Sequence, residues 1–144
     1  MRVIVLGKVN EASQQGMAPT PEMMAAFAEM DRYTEELVKA GIFIAAAGLK
    51  PSADSKRIVV DGASRTVVDG PFTENRTLVS GFQIWEVKDM DEAVSWAMRS
   101  PNVAAGRSEI DIRPFYEAAD LGAFLTPEER ANPREGDRGR LGVA

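Results

Sequence analysis

Two acids that flank a Gly-Pro pair are the first candidates for chemistry in this sequence. Asp69 opens the turn Asp69-Gly70-Pro71-Phe72, and Glu74 follows shortly after it. Proline has a fixed φ and no N–H, and glycine tolerates unusual backbone conformations, so this turn is stiff and ends a strand. Carboxylates presented at such a turn are candidates for general acid–base catalysis. The alternative is a purely structural turn, in which the Phe72 side chain fills space in the hydrophobic core.

Cations and a polar strand supply the candidates for ligand binding. Arg76 and Arg113 are suited to holding an anion, because a guanidinium group binds carboxylate or phosphate in a bidentate manner. Glu109, Asp111 and Arg113 alternate with isoleucines along the last predicted strand, so they point to one side of it. That side is either a solvent-facing edge or the polar wall of a pocket between subunits. Trp85, on an aromatic-rich strand, is a further ligand-binding candidate.

Composition excludes several classes of function. The chain has 144 residues, the size of one ordinary domain, and contains neither Cys nor His. Disulfides, thiol nucleophiles and a histidine base are therefore excluded. The net charge of −5 argues against nucleic-acid binding, and no apolar run is long enough to span a membrane. With no recognisable targeting segment, we expect a cytoplasmic location. We expect no cofactor and no metal, since Asp89 and Glu92 are better explained as helix caps than as metal ligands.

Alternating and periodic apolar residues predict the elements that carry these side chains. On the first predicted helix, Phe27, Met30 and Leu37 share one face, which predicts that they pack in the core. A hydroxyl and a proline at Thr20-Pro21 predict its start, and Gly41 predicts its end. The predicted strands are 2–9, 42–46, 79–87 and 108–113, with a hairpin formed by 57–60 and 66–68, and a second helix runs from Asp89 to before Pro101.

The order of the elements predicts an α+β fold. Strand, helix, strand, inserted hairpin, strand, helix and strand are typical of a ferredoxin-like split βαβ sheet. Both helices would cover one face of that sheet. The first strand is nevertheless apolar on both faces, since Ile4 and Leu6 alternate with Val3 and Val5. The simplest way to bury the other apolar face is to pack it against a second copy of the sheet, so we predict a homodimer.

The composition changes towards the end of the chain. We predict an α+β domain over residues 1–115 and a C-terminal extension over 116–144. The extension is rich in Arg, Glu and Gly, and Thr126-Pro127 predicts one short helix within it. Alone, such a segment would be disordered, so we expect it to dock on the body or on the partner subunit. The expected apolar anchors are Phe115, Tyr116, Leu121, Phe124 and Leu125.

These segments, taken in order, make the chain similar to the YCII-related, or DGPF-domain, family. The resemblance rests on the turn 69–72, Glu74 and the strand residues Gly81-Phe82 and Ile84-Trp85, and it runs from about residue 2 to residue 130. It implies a dimeric α+β barrel. For some members it implies a regulatory connection with extracytoplasmic-function sigma factors, whereas most members have no assigned reaction.

One departure from the family changes the expected mechanism. The wider YciI-like branch includes small-molecule lyase-type enzymes that use a His–Asp pair in a cleft. Counting back from Gly41 places Met30 near the position of that histidine, and Met cannot transfer a proton. The His–Asp mechanism is therefore not carried over to this chain.

Two main hypotheses of function remain, beside a metal-assisted enzyme that would use oxygen ligands only. The first is a homodimer that binds a small ligand or acts in regulation without catalysis. The second is a small-molecule enzyme, lyase- or isomerase-like, in which Asp69 or Glu74 is the acid–base group and Arg76 or Arg113 holds the anion. For the enzyme, the expected ligand is a small anionic metabolite. The non-catalytic protein would use the dimer cleft for such a ligand or the tail for a protein partner.

Overall fold

The computed structural model describes residues 1–10, 13, 18–74, 77–103, 106–117 and 119–132. The chain divides into two compact units, Met1–Arg113 and Pro114–Ala144. The strands are β1 (Arg2–Lys8), β2 (Phe43–Gly48), β3 (Lys56–Asp61), β4 (Ser64–Asp69), β5 (Val79–Glu86) and β6 (Ile110–Pro114). The helices are α1 (Pro21–Lys39), α2 (Met90–Ala97) and α3 (Pro127–Ala131), with a short 3₁₀ helix at Ser52–Asp54.

The first unit is built on a four-stranded sheet. Its strand order is β2-β5-β1-β6, while β3 and β4 form a separate two-stranded sheet. β5 is antiparallel to both of its neighbours, β1 and β2. The prediction of an α+β fold with an inserted hairpin is therefore confirmed, and the strand order is consistent with a ferredoxin-like fold.

Side chains at the helix starts explain where the two long helices begin. The Thr20 hydroxyl accepts a hydrogen bond from the Met23 N–H at 3.2 Å, and Pro21 occupies the first helical position. The Asp89 carboxylate accepts from the Glu92 N–H at 2.9 Å and caps α2. This backbone hydrogen bond is the main cause that lowers the pKa of the Asp89 carboxyl. The predicted roles of Thr20, Pro21 and Asp89 are confirmed.

The core lies between one face of the sheet and the two long helices. Val3 of β1 and Leu37 of α1 are fully buried, and Trp85 of β5 is 1% exposed. Tyr33 donates a hydrogen bond from its hydroxyl to the Trp96 carbonyl at 2.8 Å, which ties α1 to α2. Burial raises the pKa of Tyr33 to about 12. Other members of the core are Val5, Ile42, Val87 and Ala93.

One predicted core residue is not in the core. Phe27 is 44% exposed, whereas Met30 packs against the core as expected and Leu37 is fully buried. The buried residues of α1, Tyr33 and Leu37, both lie in its second half. The apolar residues of α1 therefore extend into its first half, where the helix has no buried face. Their periodicity alone does not show which part of the helix is buried.

The second unit contains α3. A capping box starts this helix: Thr126 accepts from the Glu129 N–H at 3.2 Å, and the Glu129 carboxylate accepts from the Thr126 N–H at 2.9 Å. Of the expected anchors, Tyr116 and Phe124 are exposed. Docking of the extension stays a prediction. Within the described part of the chain, no helix is both long enough and apolar enough to cross a membrane.

Candidate functional site

The Asp69–Phe72 turn packs directly on the 3₁₀ helix that precedes β3. The Gly70 N–H donates to the Ser55 carbonyl at 2.9 Å, and the Phe72 N–H donates to the buried Ser52 hydroxyl at 3.0 Å. A Cβ atom added at Gly70 would lie 1.8 Å from the Ser52 carbonyl oxygen. Only glycine fits this close approach of two backbones. The Gly70–Pro71 peptide bond is cis.

Both acids of this region form ion pairs with cations of β3. Asp69 lies 2.6 Å from the Lys56 ammonium group, and Glu74 lies 3.3 Å from the Arg57 guanidinium group. The Asp69 and Glu74 side chains are 72% and 56% exposed. Arg57 also stacks on the Phe72 ring, with 4.1 Å between its Cζ and the ring centroid. These contacts connect the turn to β3 at the base of the hairpin.

A second group of candidates lies on the face of the sheet opposite the helices. Ile4 is paired with Ile84, and Leu6 with Phe82, while the alternate residue Val3 belongs to the helix-covered core. Ile84 is buried, and Ile4, Leu6 and Phe82 are partly exposed. We call this side, with Ile4, Leu6, Phe82 and Ile84, the open face, because both long helices pack on the other one.

Charged side chains border the open face along β6. Ile112 packs against the core, so its neighbours Asp111 and Arg113 point to the other side of the strand. Asp111 forms an ion pair with Lys8 at 3.2 Å, and the Lys8 side chain is only 19% exposed. Arg113 is exposed, and its side chain has no hydrogen bond or ion pair with another described residue.

The remaining predicted site residues lie elsewhere. Trp85 is in the core, and its ring N–H donates to the Gln83 side chain at 2.8 Å. Glu109 pairs with Arg107 at 2.6 Å. Arg76 lies outside the described residues. The structure thus joins the acids of the turn to cations of β3, and Asp111 of β6 to Lys8 of β1. Roles in catalysis or ligand binding stay predictions for all of these residues.

Several residues that shape these two places were missed by sequence reasoning. Neither Lys56 nor Arg57 was predicted as a partner of the two acids, although extending the predicted hairpin by one pair places Lys56 opposite Asp69. Lys8 could have been found as the next residue after Ile4 and Leu6 in the alternation of β1. Ser52 had no signal in the sequence, because its role depends on a contact with Phe72, which is distant in the chain.

Comparisons with known proteins agree with this architecture. The model of the YCII-related domain matches residues 1–116. The chain belongs to the YCII-related family. This confirms the resemblance to that family. Among curated proteins, no match was found. No group of three or more acidic side chains in the described part of this YCII-related protein is placed to hold a metal ion.

Proposed function

We propose that this YCII-related protein is a non-catalytic homodimer that binds a small anionic ligand between the open faces of two sheets. The observation that carries the proposal is the open face itself, an apolar surface that neither α1 nor α2 covers and that is bordered by Lys8, Asp111 and Arg113. Apolar surface of this kind is stabilised by burial, and sheets stack about 10 Å apart when they pack face to face.

A second copy is the proposed cover because a two-fold contact needs only one self-complementary surface. Ile4, Leu6 and Phe82 lie on neighbouring strands and present one apolar surface. In a two-fold pair of sheets, the same three side chains would come from each subunit. Charged groups at the border would then line the opening of the space between the sheets.

Arg113 is the proposed anion-binding residue. It is exposed, and its charge is not neutralised by a described residue, whereas Lys8 is already paired with Asp111. A guanidinium group beside an apolar surface suits a ligand with an apolar body and a carboxylate, sulfonate or phosphate group.

The surroundings of Asp69 and Glu74 favour binding over catalysis. A carboxyl group becomes a proton-transfer group near neutral pH through burial or a like-charged neighbour. Asp69 is exposed and sits beside Lys56, and Glu74 is exposed and sits beside Arg57. A dimer that binds a ligand without consuming it is suited to regulation, and a connection with a sigma factor is part of this proposal.

A fluorescent amphipathic anion, 8-anilinonaphthalene-1-sulfonate, tests the proposal without knowledge of the natural ligand. We expect the parent protein to bind the dye saturably and Arg113→Gln to weaken binding roughly tenfold, the value of one charge-assisted hydrogen bond. Arg32→Gln, an exposed arginine of α1, is the matched control and should bind as the parent does. Asp69→Asn should also leave binding unchanged.

Two results would contradict the proposal. One is equal dye affinity of the parent and Arg113→Gln. The other is loss of binding in Asp69→Asn, which would move the site to the turn and favour the enzyme hypothesis.

A further inference from the structure

The β3–β4 hairpin is exposed along nearly its whole length. Every residue from 58 to 69 is exposed, which leaves an apolar strand pair without cover. A two-stranded sheet alone is marginally stable in water, and a free strand edge is a template for pairing with another chain. The exposed apolar side chains are Ile58, Val59, Val60, Val67 and Val68.

The backbone of β4 has one edge bonded to β3 and one free edge. Gly70 donates its N–H to Ser55, the residue opposite it in the register of the hairpin. In an antiparallel ladder, residue pairs that exchange backbone hydrogen bonds alternate with pairs that do not. Since Gly70 bonds to β3, the residues of β4 at odd positions do not. Arg65, Val67 and Asp69 therefore turn their N–H and C=O groups away from β3. Among the described residues, no third strand joins this two-stranded sheet.

The charges on that edge are self-complementary. Within one chain Arg65 donates to carbonyls of the hairpin turn and Asp69 pairs with Lys56, and both side chains stay exposed. Arg65, Val67 and Asp69 are two residues apart from one another, so they point to the same face of β4. If a two-fold axis passes through Val67, an antiparallel copy places each Arg65 opposite an Asp69. The outer edge of β3 has no such pattern, because its corresponding residues are Lys56, Ile58 and Val60.

We propose that β4 pairs with β4 of a second copy of this chain, with Val67 opposite the partner's Val67 and Arg65 opposite the partner's Asp69. The contact joins two hairpins into a four-stranded sheet and gives the outward N–H and C=O groups of β4 partners. Opposite charges directly across a strand pair stabilise this register over a shifted one. The contact uses a different surface from the open face and does not depend on it.

Cysteine crosslinking tests the register directly, because the natural chain has no Cys. In the proposed pairing the two Val67 Cα atoms are about 5.5 Å apart, within the range for a disulfide. Ile58 lies opposite Val67 on the same hairpin but on the far strand. Two Ile58 residues would be about 14 Å apart, three strand spacings, which is too far for a disulfide. Ile58 and Val67 are similarly exposed, at 55% and 62%, so they form a matched pair.

We expect Val67→Cys to form a disulfide-linked dimer under mild oxidation and Ile58→Cys to stay unlinked. In the Val67→Cys background, Arg65→Asp should slow crosslinking roughly fivefold by placing like charges opposite one another, whereas Arg65→Lys, which keeps the charge, should not. Equal crosslinking of the two cysteine variants, or equal crosslinking rates with Arg65→Asp and Arg65→Lys, would overturn the proposal. Dye binding at Arg113 does not enter this readout, so either proposal can fail while the other stands.

Discussion

Gly70 offers the sharpest test of the turn as a structural element. In Gly70→Ala, the added Cβ would lie 1.8 Å from the Ser52 carbonyl oxygen, so one of the two backbones must move. Overpacking of this kind costs about 1–3 kcal/mol. Movement also weakens the Gly70–Ser55 and Phe72–Ser52 hydrogen bonds, by up to about 1 kcal/mol each. We expect a total loss of about 3 kcal/mol in the free energy of unfolding.

Thermal unfolding followed by circular dichroism measures this loss. For a chain of this length, about 3 kcal/mol lowers the midpoint by roughly 6–12 °C. Gly48→Ala is the matched control, because Gly48 also ends a strand but has no atom within 4 Å of a built Cβ. We expect the control to unfold within about 2 °C of the parent. If the two variants unfold at the same temperature, the close approach at Ser52 is not a structural constraint and the reasoning fails.

Two further predictions concern single side chains of the first unit. Tyr33→Phe should lower the free energy of unfolding by about 1 kcal/mol, because the bond to the Trp96 carbonyl is lost. Since the folded pKa of Tyr33 is raised from 10.0 to about 12, the parent should lose stability as pH rises from 10 to 12, and Tyr33→Phe should lack that loss. Asp89→Ala should lower the thermal midpoint at neutral pH. Because the folded pKa of Asp89 is lowered, its contribution is present above the unfolded pKa and is lost as pH falls through the folded one. The difference between parent and variant should therefore shrink in acid, and a constant difference would contradict the capping role.

Local signals in the sequence predicted most of the fold. Thr20-Pro21 and Asp89 mark helix starts through contacts within one turn of the chain, so their roles could be read directly. The alternation of Ile4 and Leu6 with Val3 and Val5 predicted a strand with two apolar faces, and the core contains only the second pair. Phe27 shows the limit of such patterns, because its burial depends on where the sheet ends beneath the helix.

The surroundings of the candidate residues could not be predicted in the same way. Asp69 and Glu74 were identified from the turn, but their partners Lys56 and Arg57 follow from the register of a hairpin. The pair of Lys8 and Asp111 depends on the sheet order, which brings the first and last strands together. Contacts between residues so distant in sequence are decided by the whole fold.

The central claim is that the open face joins two subunits, and the molecular mass of one variant tests it most directly. Val67→Pro removes an N–H that points away from β3, so it abolishes pairing at the β4 edge while the hairpin ladder stays intact. Any association that remains must use another surface. We predict that light scattering of Val67→Pro at micromolar concentration gives twice the chain mass of 15.6 kDa. The mass of a single chain would contradict the claim.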